Sequence, residues 1–250
     1  KNMFFNSIKS QIKDIEDGLK TYGYHILRGV ISREICLAAR NEYFACMKKN
    51  DLHAQSEAFS PMEILDLAWR KTAVGSGNGV GEKYSQVLQT TYLPINENIL
   101  FKNLHYCMKA AIELRNILTD MEKDFGVNNY LKPGTYWNAS RVHHYPSGGG
   151  HMSEHSDTHF PAILNKSNIP FVQVAVLLSN RQEDFHQGGG FIIDRNNKKI
   201  LFEDESILGS IVVFDGSLKH GVDDIDPNCV IDWNSRKGRI ALFSNLYVSK

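Results

Sequence analysis

Through the first half of the chain, apolar residues recur at three- and four-residue spacing; beyond it they fall into short runs separated by turns. After Ser32, the positions Ile35, Ala38, Ala39, Tyr43, Cys46 and Met47 make one face of a helix reaching about Lys49. Ser32 is its N-cap, since a serine hydroxyl accepts from a free amide of the first turn. Ser60-Pro61-Met62-Glu63 predicts a second helix start, with Ser60 capping, Pro61 at the first helical position and Glu63 completing a capping box. A third helix is predicted over 97–124, where Leu104, Cys107, Met108, Ala111, Leu114, Leu118 and Met121 form the stripe. Such stripes read as core.

From about residue 133 the periodicity changes. Tyr136–Tyr145, Phe171–Leu178, Gly190–Asp194, Ile200–Glu203, Ser210–Phe214 and Arg239–Val248 have the length and the β-branched and aromatic content of strands. Asp194-Arg195-Asn196-Asn197-Lys198 is a turn, so the runs on either side of it form a hairpin. The pattern predicts an α+β, mainly β architecture in one domain spanning 1–250. Residues 1–130 are its mainly helical support, and 133–250 its antiparallel barrel or sandwich. Helices on the outer sheet face would leave the barrel interior for a site.

Val74-Gly75-Ser76-Gly77-Asn78-Gly79-Val80-Gly81 invites a phosphate-loop reading. No register gives G-x-G-x-x-G, no Gly-Lys-Ser/Thr follows, and a helix is predicted ahead of it where a strand is needed. The segment 72–87 is read as a mobile loop, either an active-site lid or plain surface.

Composition narrows the function. Lys+Arg and Asp+Glu each number 28, for a formal net charge of zero. That argues against nucleic acid or an anionic membrane surface as the main partner, because both need a basic footprint. No apolar run approaches the ~18 residues of a membrane span, and KNMFFNSIKS lacks the apolar stretch of a signal peptide. A cytoplasmic enzyme is expected. Cys36, Cys46, Cys107 and Cys229 are scattered and form no C-x-x-C pair, so they read as buried free thiols.

Six of the ten histidines lie between His143 and His186, and a seventh is His220. A single H-x-D/E triplet exists, His155-Ser156-Asp157. On a strand, residues i and i+2 share a face, so this spacing sets an imidazole beside a carboxylate. A further histidine would complete a facial triad with open positions on an iron(II) ion. His220, delivered by a strand and a glycine-containing turn, is the candidate. His159 shares the parity of His155 and Asp157 and is the competing ligand. His151 is assigned to the rim of the site. One of His143 and His144 should point inward, with Trp137 and Asn138 possible pocket residues on the same strand. His25, His53, His105 and His186 read as surface or satisfied core positions.

These segments resemble a family. Tyr145-Pro146-Ser147-Gly148-Gly149-Gly150-His151-Met152-Ser153-Glu154-His155-Ser156-Asp157 resembles the Y-x-x-G-G…H-x-D block of 2-oxoglutarate/Fe(II) dioxygenases. Gln187-Gly188-Gly189-Gly190-Phe191 is similar to their glycine-rich strand entry, His220-Gly221-Val222 to their distal ligand motif, and Arg239-Ile240-Ala241-Leu242-Phe243 to their final strand. The stretch from Asp17 to Ser32 is similar to the opening of the phytanoyl-CoA- and prolyl-hydroxylase-like branches. The resemblance runs in order over most of the chain. It implies a double-stranded β-helix of the jelly-roll or cupin kind, with Fe(II), 2-oxoglutarate and O2 as cofactors. His155, Asp157 and His220 would ligate iron. Arg239 would bind the distal carboxylate of 2-oxoglutarate, with Arg236 as the alternative. Family members often place Ser or Thr two residues after that arginine; here Ala241 stands there, so Tyr145 would supply the hydroxyl if it is not simply a core tyrosine. Asp157 occupies the position that halogenases fill with a small residue, which implies hydroxylation, desaturation or oxidative cyclisation. The expected partner is a small molecule, amino-acid-like or another specialised metabolite. The competing readings are a nucleic-acid repair oxygenase with the same triad, an iron oxygenase or oxidase that uses no 2-oxoglutarate, and a non-enzymatic β-barrel binding protein.

Overall fold

In the computed structural model, residue 4 and residues 8–49, 64–78, 83–127 and 132–249 are described. The N-terminal part holds α1 (Ile12–Thr21), β1 (Tyr24–Leu27), α2 (Arg33–Lys49), a long hairpin of β2 (Trp69–Asn78) and β3 (Lys83–Tyr92), and α3 (Lys102–Leu118). The rest is β4 (Tyr136–Pro146), β5 (Gly150–His155), the short α4 (His159–Leu164), β6 (Val172–Leu177), β7 (Gly189–Ile193), β8 (Lys199–Leu201), β9 (Ile211–Asp215), β10 (His220–Ile225) and β11 (Gly238–Val248).

The strands form one antiparallel sheet in the order β1-β9-β6-β11-β4-β3-β5-β10-β7-β8, with β2 on the edge of β3. It curls on itself, so β11 and β4 lie on one side of the interior and β5, β10 and β7 on the other. The longest pairing runs through eleven rungs, from Gly238 opposite Pro146 to Val248 opposite Tyr136.

Alternation along these strands divides the core in two. Val142, Val174, Val176, Ile211, Val213, Ile240 and Leu242 point outward and pack under the helices with Leu104, Cys107, Ala111 and Leu114 of α3. Their neighbours Ala175, Leu177, Val212, Phe214 and Ala241 point inward, against Ile192 and Phe202. Each buried Leu or Ile contributes about 1.5–3 kcal/mol relative to its exposed state. The outward cluster therefore holds the helical layer on the sheet, and the interior is left free to carry polar groups.

The capping expected of Ser32 is present, its hydroxyl accepting from Ile35 N at 3.3 Å. α3 is shorter than the 97–124 expected. It ends at Leu118, and the backbone turns out through Asp120 at φ 54°. The N-terminal region is less helical than expected, since β1, β2 and β3 lie within it. The segment read as a mobile loop is instead hairpin strand: Val74 to Asn78 pair with Val87 to Lys83. Its alternation was hidden because β2 is an edge strand and a side chain at Gly75 would meet nothing within 4 Å. Residues 79–82 of that segment, the Ser60–Glu63 helix start and His53 lie outside the described residues. From Trp69 the chain is strand, not helix. All four cysteines are free, and Cys229 is exposed, not buried as expected. No described helix is long and apolar enough to cross a membrane.

Candidate metal centre and its pocket

β5 and β10 are neighbours in the sheet, and His155 stands directly opposite His220. Directly opposed strand residues have Cβ atoms about 5 Å apart, so register alone brings two imidazoles together. Asp157 lies two residues beyond the end of β5. The strand alternation expected to align it with His155 therefore does not operate; the chain turns off the strand and still returns the carboxylate to the same place. Asp157 Oδ1 is 3.8 Å from His155 Nε2, and Oδ2 is 3.6 Å from His220 Nε2. One ligand atom from each residue lies within 4.8 Å of the other two. His159 opens α4, which removes it from the strand parity that made it a competitor.

Each of the two imidazoles is held in one tautomer. His155 Nδ1 donates to Ser153 O and His220 Nδ1 to Leu218 O, both at 2.8 Å. That leaves each Nε2 lone pair for a metal, the usual arrangement of a ligating histidine. Gln173 on β6 donates to Asp157 Oδ2 at 2.7 Å and fixes the carboxylate plane. Burial works against ionisation of Asp157, but its neighbours His220, His155 and Arg141 outweigh it and hold the carboxyl below its usual range. Tyr84, on the hairpin, stacks on the His155 ring at 4.6 Å, and Phe214 packs edge-on to His220 at 5.2 Å. Two imidazoles and one carboxylate match the donor set that takes a facially bound iron(II).

Arg239 is 2% exposed. Its Nε donates to Glu203, itself buried, and Glu203 also accepts from Gly190 N at 2.8 Å. A Cβ on Gly190 would stand 2.4 Å from Arg239 Nη2, so the glycine-rich entry to β7 exists to let the guanidinium lie flat against backbone. Tyr145, opposite Arg239 across the β4–β11 pair, places its ring 5.9 Å from the guanidinium carbon. Arg236 points elsewhere. It is exposed, bonded to Asn41 and stacked on Phe44 at 4.7 Å, outside the interior because it precedes the strand.

Parity settles the adjacent histidines. His143 shares the inward face with Tyr145 and Ala241; His144 points outward between Tyr43 and Phe44 and donates from Nε2 to Lys237 O at 2.9 Å. Burial, then the charges of Arg141, Arg239 and His155, push the His143 pKa well down, so the ring is neutral. Arg141 Nε donates to its Nε2 at 3.0 Å, which puts the ring proton on Nδ1, 3.3 Å from Tyr145 Oη. Burial also raises the Tyr145 pKa, so the phenol keeps its proton and can donate it to a ligand. His151 is tied to Gly149 O, Asp224 and Ser85 Oγ and does not join the triad. Trp137 faces Tyr247, and Asn138 turns outward to Arg115.

Sequence reasoning missed Glu203, Gln173, Tyr84 and Arg141. Only Arg141 left a local signal, the strand parity it shares with His143 and Tyr145. Gln173 and Tyr84 reach the site from other strands, and Glu203 from the turn after β8.

No protein-family model and no curated protein matches the sequence. Solved structures match in fold. A Pseudomonas putida prolyl-4-hydroxylase superposes with TM-score 0.56 at 13% identity, over 96% of this chain and 99% of that one. A Trichoplax adhaerens prolyl hydroxylase in complex with a hypoxia-inducible-factor peptide fragment gives 0.55 at 12%, over 99% and 94%. SnoN, a non-haem α-ketoglutarate-dependent epimerase of nogalamycin biosynthesis, gives 0.53 at 9%, over 96% and 83%. The architecture is thus the double-stranded β-helix that these proteins share.

Proposed function

We propose that the chain is a non-haem iron(II) oxygenase that couples oxidative decarboxylation of 2-oxoglutarate to hydroxylation, desaturation or oxidative cyclisation of a small molecule. The observation that carries this reading is the convergence of His155, Asp157 and His220 within 4.8 Å in an interior that also holds buried Arg239. His155, Asp157 and His220 would hold the iron, and Gln173 would keep Asp157 aimed at it. Arg239 and Tyr145 would bind the distal carboxylate of 2-oxoglutarate, with Glu203 bracing the guanidinium and His143 orienting the phenol. When bound, iron(II) supplies the redox chemistry and open positions for cosubstrate and oxygen. The fold does not set the substrate: the similar structures are named for prolyl hydroxylation in two cases and for metabolite epimerisation in the third. Zero net charge favours a small molecule over nucleic acid.

The test is anaerobic titration of the protein with iron(II) and 2-oxoglutarate, followed by succinate assay in air across a metabolite panel. The weak visible band of an iron–2-oxoglutarate chelate should form in the parent protein and be absent in His155→Ala and His220→Ala. Metal binding without succinate would favour a barrel binding protein, and oxidation of methylated oligonucleotide the repair reading.

A further inference from the structure

We propose that Arg141, assisted by Asn245, anchors the carboxylate of the substrate among aromatic side chains midway along the β4–β11 pair, two inward rungs from Arg239. This assignment presupposes the iron oxygenase proposed above and names the substrate class of that same site.

Inward residues of the two strands stand on successive rungs: Tyr145 opposite Arg239, His143 opposite Ala241, Arg141 opposite Phe243, Ala139 opposite Asn245, and Trp137 opposite Tyr247. Arg141 is therefore four residues along the strand from the Tyr145–Arg239 rung, about 13 Å at the usual rise. One guanidinium stands on the first inward rung and one on the third, and one carboxylate each is the natural complement.

The two arginines differ in how their charge is met. Arg239 has Glu203. Arg40, also largely buried, has Asp184 at 2.7 Å, and Arg115 is bonded by Asn116, Asn138 and Ser244 O. Arg141 is 8% exposed, has no carboxylate within ion-pair distance among the described residues, and bonds only the neutral His143 through Nε. Its Nη1 is buried without any hydrogen-bond partner. The charge of Arg141 is felt by Asp157 without contact, and a buried guanidinium with no contacting carboxylate is costly, so a free anion is the fitting counterpart. Asn245 Nδ2, on the same inward face and diagonal to Arg141, is likewise buried and unpartnered, as is Thr158 Oγ1 beside Asp157. A planar guanidinium edge with one neutral amide donor suits a monoanionic carboxylate better than a phosphate.

The walls describe the rest of the ligand. Phe160 and Phe243 each lie 5.9 Å from the Arg141 guanidinium carbon and flank it with aromatic surface. Phe160 continues against Phe171 and Tyr247, each at 5.5 Å. The ligand expected is a carboxylic acid with an aromatic or apolar body, bound so that this body passes the metal.

The experiment compares 3-phenylpropionate with its amide, 3-phenylpropionamide, as millimolar probes of the metal-free full chain, read by thermal shift and calorimetry. The acid should stabilise the parent protein and the amide should not. Arg141→Met should weaken the acid by about 100-fold, Arg141→Lys less, and Asn245→Leu by about 10-fold. The proposal is overturned if acid and amide bind alike, if the acid does not bind, or if its binding is lost in Arg239→Met and kept in Arg141→Met. A missing chelate band in the parent protein would sink the oxygenase reading alone, since the acid–amide comparison needs no iron.

Discussion

At the residue scale, the cosubstrate role proposed for Arg239 is tied to stability through its pair with Glu203. Both side chains are almost fully buried, so removing one leaves the other as an uncompensated charge. Arg239→Met should raise the 2-oxoglutarate dissociation constant by about 100-fold and lower stability by about 3–5 kcal/mol. Adding Glu203→Gln should return most of the stability and none of the affinity. Urea midpoints and chelate-band titrations separate the two effects; equal stability of Arg239→Met and the parent would show that Glu203 carries no buried charge. The sequence made Arg239 visible through its place in the last strand and Gly190 through the glycine-rich run. Glu203, thirty-six residues before Arg239, left no local mark, because its role depends on β8 and the turn after it folding back over β11.

At the element scale, α3 begins without a capping side chain of its own, and Glu42 of α2 supplies one from outside. Its carboxylate accepts from Asn103 N and Leu104 N at 2.9 Å and from Asn103 Nδ2. An anion at a helix N-terminus satisfies free amides and favours the macrodipole. Glu42→Ala should therefore cost about 1–2 kcal/mol and loosen both helices, and Glu42→Gln should cost less; denaturant titration by circular dichroism measures each. Helix stripes and strand runs were legible because each depends on a period within one segment. The β2–β3 hairpin was not. With Gly75 and Gly77 in β2 and only β3 beside it, its pairing is stated by the partner strand and not by its own alternation.

At the scale of the whole molecule, the seam between helices and sheet contains a pH-dependent contact. His144 is buried beneath α2, and burial drives its pKa down to about 4, with the Lys237 carbonyl opposing and the charges of Arg70 and Arg40 adding. Unfolded, it titrates near 6.5. Between these values the unfolded chain binds a proton that the folded chain refuses. The stabilisation from a neutral His144 is thus complete above about pH 6.5 and is lost as pH falls toward about 4, up to about 3 kcal/mol. Urea midpoints measured across this range should fall, and His144→Gln should flatten the slope; an unchanged slope would place the acid sensitivity elsewhere.

Alternation, helical spacing and the order of motifs sufficed for the mainly β class, for the helical layer and for His155, Asp157, His220 and Arg239 as candidates, since all of these are written in local spacing. Tertiary packing chose what local spacing leaves open. It turned His143 inward and His144 outward, sent Arg236 to the surface, brought Asp157 back after its strand had ended, and left Arg141 buried with no carboxylate within ion-pair distance among the described residues. Each outcome depends on register between strands close in space and up to a hundred residues apart in sequence, or on which neighbour closes over a side chain, and neither is contained in the period of a single segment.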